Sequence, residues 1–125
     1  MSLNLVATEK APAAVGPYSQ AVTIGNLIFT SGQLPIDPKS GELVSEITAA
    51  TRQSLDNVVA ILEEAGTRLE KVVKVTVFVS DIKNFGAINE VYAEYFSNHK
   101  PARSLVEVSN LPKGGVIEIE AIAEL

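Results

Sequence analysis

The residues best suited to chemistry lie in two predicted strands within the last quarter of the chain. Residues 116–124 alternate in polarity, so Glu118 and Glu120 project from the same face of a strand. Arg103 begins the preceding strand-like run, residues 103–108. An Arg can hold a carboxylate through two parallel N–H···O bonds. A Glu whose pKa is raised by a neighbouring carboxylate and by burial can donate a proton and then activate water near neutral pH.

The same residues also have a structural interpretation. Arg103 could form an ion pair with Glu118 or Glu120 across adjacent strands, which would relieve the repulsion between the two carboxylates. On residue types alone, this is the stronger interpretation of Arg103. For Glu120 we expect a salt bridge at an interface between subunits.

A second group of candidate residues lies in a predicted β-hairpin nearer the start of the chain. Residues 18–24 and 27–33 favour strands, and Gly25-Asn26 between them suits a two-residue turn. The turn sets the register and predicts these opposing pairs: Ile24 with Leu27, Val22 with Phe29, Gln20 with Ser31, and Tyr18 with Gln33. Tyr18 and Ser31 are then diagonal neighbours within reach of one small molecule, and Gly32 leaves the backbone beside Ser31 uncovered.

Two helices and a further strand are predicted between these regions. Residues 46–65 repeat apolar side chains at three-to-four spacing, with Ser45 expected as the N-cap and Gly66 as the C′ residue. Residues 72–79 form the clearest strand, with one face made of alternate residues: Val73, Val75, Val77 and Val79.

Residues 85–98 predict the second helix, which Asp81 or Asn84 could cap. Its buried stripe is expected to contain these residues: Phe85, Ile88, Tyr92, Tyr95 and Phe96. His99 follows, and we expect it to interact with the helix dipole instead of acting as a catalytic base. Pro101 ends the helix, because a residue before proline avoids the helical region.

These elements predict an α+β fold in the order β-β-α-β-α-β-β, after an irregular lead-in over residues 1–16. The simplest arrangement is a mixed sheet with two helices packed on one face. The second face carries four apolar residues, Val72, Phe78, Val116 and Ile122, which lie beside Lys and Glu side chains. That face is too apolar to meet only water, so we expect it to pack against another subunit.

Composition excludes several classes of protein. The chain has 125 residues, which predicts one domain over residues 1–125, and 46% hydrophobic residues exclude disorder. A net charge of −5 argues against nucleic-acid binding. The absence of Cys excludes disulfides and thiolate chemistry, and a single His argues against a His-based metal site. Without a long apolar run or a signal-peptide pattern, we expect a cytoplasmic protein with no membrane partner.

Six motifs resemble the RidA/YjgF family in order and spacing over nearly the whole chain: GPYSQAV, FTSGQLP, RQSLDNV, KVTVFVSDI, PARS and LPKGGVIEIEAIA. The Arg of PARS is similar to that of the family's enamine/imine deaminase branch. The resemblance implies a chorismate-mutase-like fold and a homotrimer with three active sites between subunits, without cofactor or metal. It also implies hydrolysis of 2-aminoacrylate, 2-aminocrotonate and their imine tautomers, which pyridoxal-phosphate enzymes such as threonine dehydratase release, to 2-keto acids and ammonia.

The resemblance assigns roles to particular positions. It implies that Arg103 binds the substrate carboxylate, that Glu118 is catalytic, and that the pocket also includes these residues: Tyr18, Ser31, Gly32, Asn89 and Leu105. Asn89 could equally be an ordinary polar position of a helix. Leu105 stands where many members have a Cys that acts through its backbone, so we expect Leu to be tolerated. Many members read FPARS after a slightly longer loop, whereas this chain reads HKPARS. Lys100 is therefore expected to alter the rim of the site and with it the substrate preference.

Three functions remain open on the sequence alone. The first is the imine deaminase, and the second is a non-catalytic trimer that binds 2-keto acids or similar carboxylates. Arg103 would serve both, so only Glu118 discriminates between them. A ribonuclease is the weakest alternative, because the chain is acidic and shows no basic stripe. Chorismate mutase activity would need a cationic site for two carboxylates, which the sequence does not show.

Overall fold

Six strands and two helices follow one another in the predicted order, apart from one additional short strand at the start. The structure is a computed structural model that describes residues 2–125. The elements are β1 (Asn4–Val6), β2 (Ala21–Ile24), β3 (Leu27–Thr30), α1 (Ile47–Glu64), β4 (Val72–Val79), α2 (Phe85–Tyr95), β5 (Ala102–Glu107) and β6 (Ile117–Glu124). No helix among these residues is long and apolar enough to cross a membrane.

The strands form one mixed sheet in the order β1-β2-β3-β6-β4-β5. All neighbours are antiparallel except β4 and β5, which are parallel. The prediction of an irregular lead-in over residues 1–16 is wrong for β1, where Asn4 pairs with Thr23 and Val6 with Ala21. Three residues are too few to show a periodicity, so this strand depends on its pairing with β2.

The predicted hairpin register is confirmed near the turn and fails at its open end. Ile24 pairs with Leu27 and Val22 with Phe29. Beyond the paired strands, the Ser31 amide donates to the Gln20 carbonyl at 2.8 Å. The predicted pairing of Tyr18 with Gln33 is wrong, because both backbone groups of Gln33 bond to Ile119, at 2.8 and 3.1 Å.

The core lies between one face of the sheet and both helices, as predicted. β4 and β6 supply alternate buried residues, namely Val75, Val77, Val79, Ile117, Ile119, Ala121 and Ala123. α1 covers them with Leu55, Val58, Ile61 and Leu62, and α2 with Ile88 and Val91. Each large buried side chain contributes about 1.5–3 kcal/mol through its removal from water.

A β-bulge in β4 reverses part of the predicted strand pattern. Val72 pairs with Ala123 and Lys74 with Ile122, so Val73 is an additional residue with no partner in β6. Val72 is therefore fully buried with the core, whereas Val73 is 48% exposed. The prediction that Val73 lies in the core face and Val72 on the second face is wrong, because alternation is interrupted at the bulge.

The ends of α1 show one wrong prediction and one confirmed one. The N-cap is Glu46, not Ser45, and its carboxylate accepts bonds from the amides of Thr48 and Ala49 at 2.8 and 3.0 Å. Gly66 is the C′ residue, with φ +88°. The Gly66 amide donates to the carbonyl of Glu63, and the Thr67 amide donates to the carbonyl of Leu62. This pair of bonds is a Schellman motif.

α2 is shorter than predicted and ends at Tyr95 instead of residue 98. Its buried stripe is confirmed for Ile88 and Phe96, with Tyr92 and Tyr95 partly buried against the core. The prediction is wrong for Phe85, which is 47% exposed, and it missed Val91, which is buried. His99 lies beyond the helix, and its Nε2 is 2.6 Å from the carbonyl oxygen of Val72. A carbonyl can only accept, so Nε2 carries the proton, and the expected interaction with the helix dipole is wrong.

Candidate active site

Four predicted site residues line one cavity of about 480 Å³: Tyr18, Ser31, Gly32 and Glu118. The walls come from residues 12–20, residues 31–36, the turn at 112–113, and β6. The prediction that Tyr18 and Ser31 lie within reach of one small molecule is therefore supported, although the strand pairing behind it stops at Ala21. A cavity of this size is typical of small-molecule sites.

Glu118 provides the ionisable carboxyl group of the cavity. It projects from the face of β6 opposite the helices, where its neighbour in β4 is Phe78. Burial raises the pKa of the Glu118 carboxyl, and the negative charge of Glu120 on the same face raises it further. Both causes were expected from the sequence, and together they keep a proton on Glu118 at higher pH than on a solvated carboxyl.

Gly32 is needed where it stands because Glu118 packs directly against its Cα. A Cβ at position 32 would lie 2.6 Å from Oε1 of Glu118 and 2.7 Å from its carboxyl carbon. These distances are far shorter than any normal contact, so a side chain at this position would displace the carboxyl group. Gly32 and Glu118 thus form one geometric unit.

Ser31 and Tyr18 present oxygen atoms to the same cavity. The Ser31 hydroxyl donates to the carbonyl of Ser19 at 2.6 Å, so its oxygen keeps lone pairs that can accept a bond from a ligand. Tyr18 is 54% exposed and stands on the wall that faces solvent.

Two buried carboxamides that sequence reasoning did not single out hold the cavity walls. Gln20 is 4% exposed; its Oε1 accepts from the Thr8 amide at 2.6 Å, and its Nε2 donates to the carbonyls of Thr8, Ala11 and Pro12. Asn57 on α1 donates in the same way to the carbonyls of residues 34 and 36. Gln20 was predicted as a hairpin residue facing Ser31, but no local pattern shows which backbone groups a buried amide will bind.

Arg103 lies in a different place from the one the sequence predicts. Its strand, β5, pairs with β4 and not with β6, so an entire strand separates Arg103 from Glu118. Arg103 is opposite Val75 and shares its face, the helix side of the sheet, whereas Glu118 projects from the other side. The predicted constellation does not form within one chain, and neither does the ion pair across adjacent strands, because strand order depends on long-range pairing.

Arg103 instead belongs to a second group of predicted residues. Its Nη1 donates to Oδ1 of Asn89 on α2 at 2.8 Å, and its guanidinium carbon lies 4.6 Å from the centre of the Tyr92 ring. Leu105 follows two residues later, half-buried on the same face of β5. Asn89 is thus placed to orient the guanidinium, which leaves other N–H groups of Arg103 free to bind an anion.

Lys113 is a further cavity residue that sequence reasoning missed. It lies in the turn before β6, is exposed, and has φ +60°. The only signal in the sequence is its place between Pro112 and Gly114, which indicates a turn and not a role. Among residues 2–125, no cluster of His, Asp or Glu is placed to hold a metal ion.

Comparison with known proteins shows extensive similarity. Residues 8–125 match the sequence model of the family described as Endoribonuclease L-PSP. A RutC family protein of Pyrococcus abyssi is 55% identical over 124 residues, 98% of each chain. The 2-iminobutanoate/2-iminopropanoate deaminase of Escherichia coli K12 is 54% identical over 121 residues, 94% of each chain. A Yersinia pestis crystal structure, described as a protein of unknown function of the conserved Rid family, matches with TM-score 0.97 at 47% identity, over 99% of this chain and 100% of that one.

Proposed function

Because the chain belongs to the RidA/YjgF family, the family of the Endoribonuclease L-PSP model, we propose that it hydrolyses 2-imino acids and their enamine tautomers to 2-keto acids and ammonia. A relative at 54% identity bears the name of such a deaminase. The observation that carries the proposal is the Glu118 carboxyl, held against Gly32 in a cavity with its pKa raised. Such a group can act as an acid and then as a base near neutral pH.

The proposed reaction needs only water and one proton-transferring group. Protonated Glu118 donates its proton to the imine nitrogen, which makes the carbon more electrophilic. Water then forms a bond to that carbon and gives a proton to the Glu118 carboxylate. Glu118 returns the proton to the nitrogen, ammonia leaves with the C–N electron pair, and the hydroxyl proton restores the acid as C=O forms. The net change is R–C(=NH)–CO₂⁻ plus H₂O giving R–C(=O)–CO₂⁻ plus NH₃.

We propose that each complete site forms between two copies of the chain in a homotrimer. Arg103, Asn89 and Leu105 of one copy would bind the substrate carboxylate, while Glu118 and its cavity come from the next copy. In support, the two groups lie on opposite faces of one sheet, so no single chain can present both to a small molecule. The sheet face that carries Glu118 also exposes apolar side chains such as Phe29, which is 40% exposed.

The activity can be tested with imine generated in the assay. Threonine dehydratase would supply 2-iminobutanoate in a buffer without nucleophilic amines, and early formation of 2-ketobutyrate would be followed. We expect the wild type to accelerate it and the Glu118→Gln variant to bind 2-ketobutyrate without accelerating it. A wild type that binds 2-ketobutyrate but gives no acceleration would instead support the non-catalytic carboxylate-binding function.

The shared site makes a separate prediction about mixed oligomers. Arg103→Ala and Glu118→Gln chains, each inactive alone, would be unfolded together and refolded as a mixture. If the two groups meet across an interface of a cyclic trimer, random mixing restores roughly a quarter of the sites. If both groups act within one chain, the mixture stays as inactive as its components.

Endoribonuclease activity is the second candidate, because the family model is described by that name. RNA binding draws its affinity from cations that neutralise phosphates. The chain has a net charge of −5, which disfavours a long polyanion much more than a small monoanion. Salt-sensitive RNA binding and cleavage that persist in the Glu118→Gln variant would favour this candidate.

A further inference from the structure

Lys113 is the one cationic side chain on the cavity wall in the described part of the chain. It is exposed and also lines the cavity, so it lies where the cavity opens to solvent. Its ammonium has no hydrogen-bond or ion-pair partner among residues 2–125, where the ion pairs are Arg52–Glu94 and Arg68–Glu70. No structural contact therefore accounts for a lysine at this position.

The backbone conformation at position 113 is one that a lysine adopts only at a cost, which points to a role for its side chain. Its φ of +60° and ψ of 16° lie in the left-handed region, and it is the one non-glycine residue with positive φ within residues 2–125. Glycine or asparagine would adopt this conformation at lower cost, and the following residue, Gly114, does so with φ +70°. Residues held in such conformations cluster at functional sites.

The charges around the cavity explain what a cation would do there. The chain carries a net charge of −5, and the carboxylate of Glu120 lies beside Glu118 on the same sheet face, so the surroundings repel an approaching anion even when Glu118 is protonated. Arg103 of the same chain faces the other side of the sheet. The chain that forms this cavity wall thus offers an anionic substrate a single favourable charge, that of Lys113 at the opening.

We propose that Lys113 attracts the carboxylate of the substrate to the opening of the cavity and so raises kcat/KM for anionic substrates. This role rests on the proposed function, since it assumes a 2-imino acid as the substrate. A lysine suits it because an ammonium on a flexible stem attracts anions without fixing their orientation, which we assign to the guanidinium of Arg103. Lys113 is thus a specificity-determining residue that does not take part in proton transfer.

Four variants separate the charge from the backbone conformation. Lys113→Gln removes the charge and keeps a long side chain, whereas Lys113→Gly removes the charge and also relieves the backbone strain. Lys113→Arg keeps the charge. Lys39→Gln removes the same charge from an exposed loop that does not line the cavity, so it controls for the change in net charge.

We expect Lys113→Gln and Lys113→Gly to lower kcat/KM by about threefold to tenfold at low ionic strength, with kcat little changed. The loss should shrink at high salt, because screening removes the attraction from the wild type as well. Lys113→Arg should recover most of the loss, and Lys39→Gln should show none. Lys113→Gly should melt at or above the wild-type temperature, which would separate the charge effect from any loss of fold.

Equal kcat/KM for the wild type, Lys113→Gln and Lys113→Gly at low salt would overturn the proposal, as would an equal loss in Lys39→Gln. If the wild type does not accelerate imine hydrolysis, the proposed function fails and Lys113 is judged on 2-ketobutyrate binding by calorimetry. Weaker binding to Lys113→Gln than to the wild type would then support its role. Equal affinities, or no binding by the wild type, would refute it.

Discussion

The Gly32→Ala substitution tests the geometry of the site most directly. The added Cβ would lie 2.6, 2.7 and 2.9 Å from three atoms of the Glu118 side chain. For the nearest oxygen to reach ordinary contact at 3.4 Å, it must move by about 0.8 Å. The clash is with the end of a flexible side chain, so we expect the carboxyl group to move and the backbone to stay.

This displacement should affect activity far more than stability. A misplacement of about 1 Å can cost roughly 100-fold in rate, or about 2.7 kcal/mol of activation free energy. Unfolding should be easier by only about 1 kcal/mol, because rotation of Glu118 relieves most of the overlap.

The measurement pairs the coupled imine assay with urea unfolding. Gly86→Ala is the matched control: it lies within α2, and a Cβ there would have no atom within 4 Å. It should leave kcat unchanged and stabilise the protein by about 0.5–1 kcal/mol, as alanine does in a helix.

Wild-type kcat in a folded Gly32→Ala variant would refute this reasoning. It would mean either that the Glu118 carboxyl is not the proton-transferring group or that its position against Gly32 is irrelevant to the reaction. A large loss of stability would show that the backbone around residue 32, and not the Glu118 side chain, absorbs the overlap.

Three further outcomes are expected. The pKa of Glu118 is higher in the folded state than in the unfolded state, so the free energy of unfolding of the wild type falls as the pH rises from the unfolded-state pKa through the folded-state pKa. Urea titrations at pH 4 and pH 8 should therefore show the Glu118→Gln variant gaining stability relative to the wild type at the higher pH. Gln20→Leu removes four hydrogen bonds to residues 8–12, so it should cost about 2–4 kcal/mol and abolish hydrogen-exchange protection of the Thr8 amide. Gly66→Ala meets no atom within 4 Å but keeps φ +88°, so thermal unfolding should show a loss of about 1 kcal/mol from backbone strain alone. Equal pH profiles, a retained Thr8 protection or an unchanged melting temperature would contradict these expectations in turn.

Sequence patterns predicted the local features of the fold well. The alternation of β6 placed Glu118 and Glu120 on one face, and Gly25-Asn26 predicted the hairpin register near the turn. Both features depend on a few neighbouring residues and on the two-residue period of a strand. Gly66 was predicted for the same reason, since a left-handed C′ residue is a local requirement.

Features that depend on distant contacts were not predictable in the same way. Two adjacent valines, Val72 and Val73, read alike in sequence, and only pairing with β6 shows that the bulge exposes the second one. Arg103 and Glu118 were placed together because their strands are consecutive along the chain, whereas β4 lies between them. The resemblance to the family assigns both residues to one site. Within a single chain they lie in two separate groups, Glu118 in the cavity and Arg103 beside Asn89 on the other face of the sheet.

The position of β6 has a consequence for how the chain acquires its structure during synthesis. β6 is the last strand in the sequence, but in the sheet it lies between β3 and β4. As the polypeptide emerges from the ribosome, β3 and β4 therefore expose unpaired backbone edges until residues 117–124 appear. Truncation within this strand would divide the sheet into two parts with unsatisfied edges, and such fragments are expected to aggregate or be degraded.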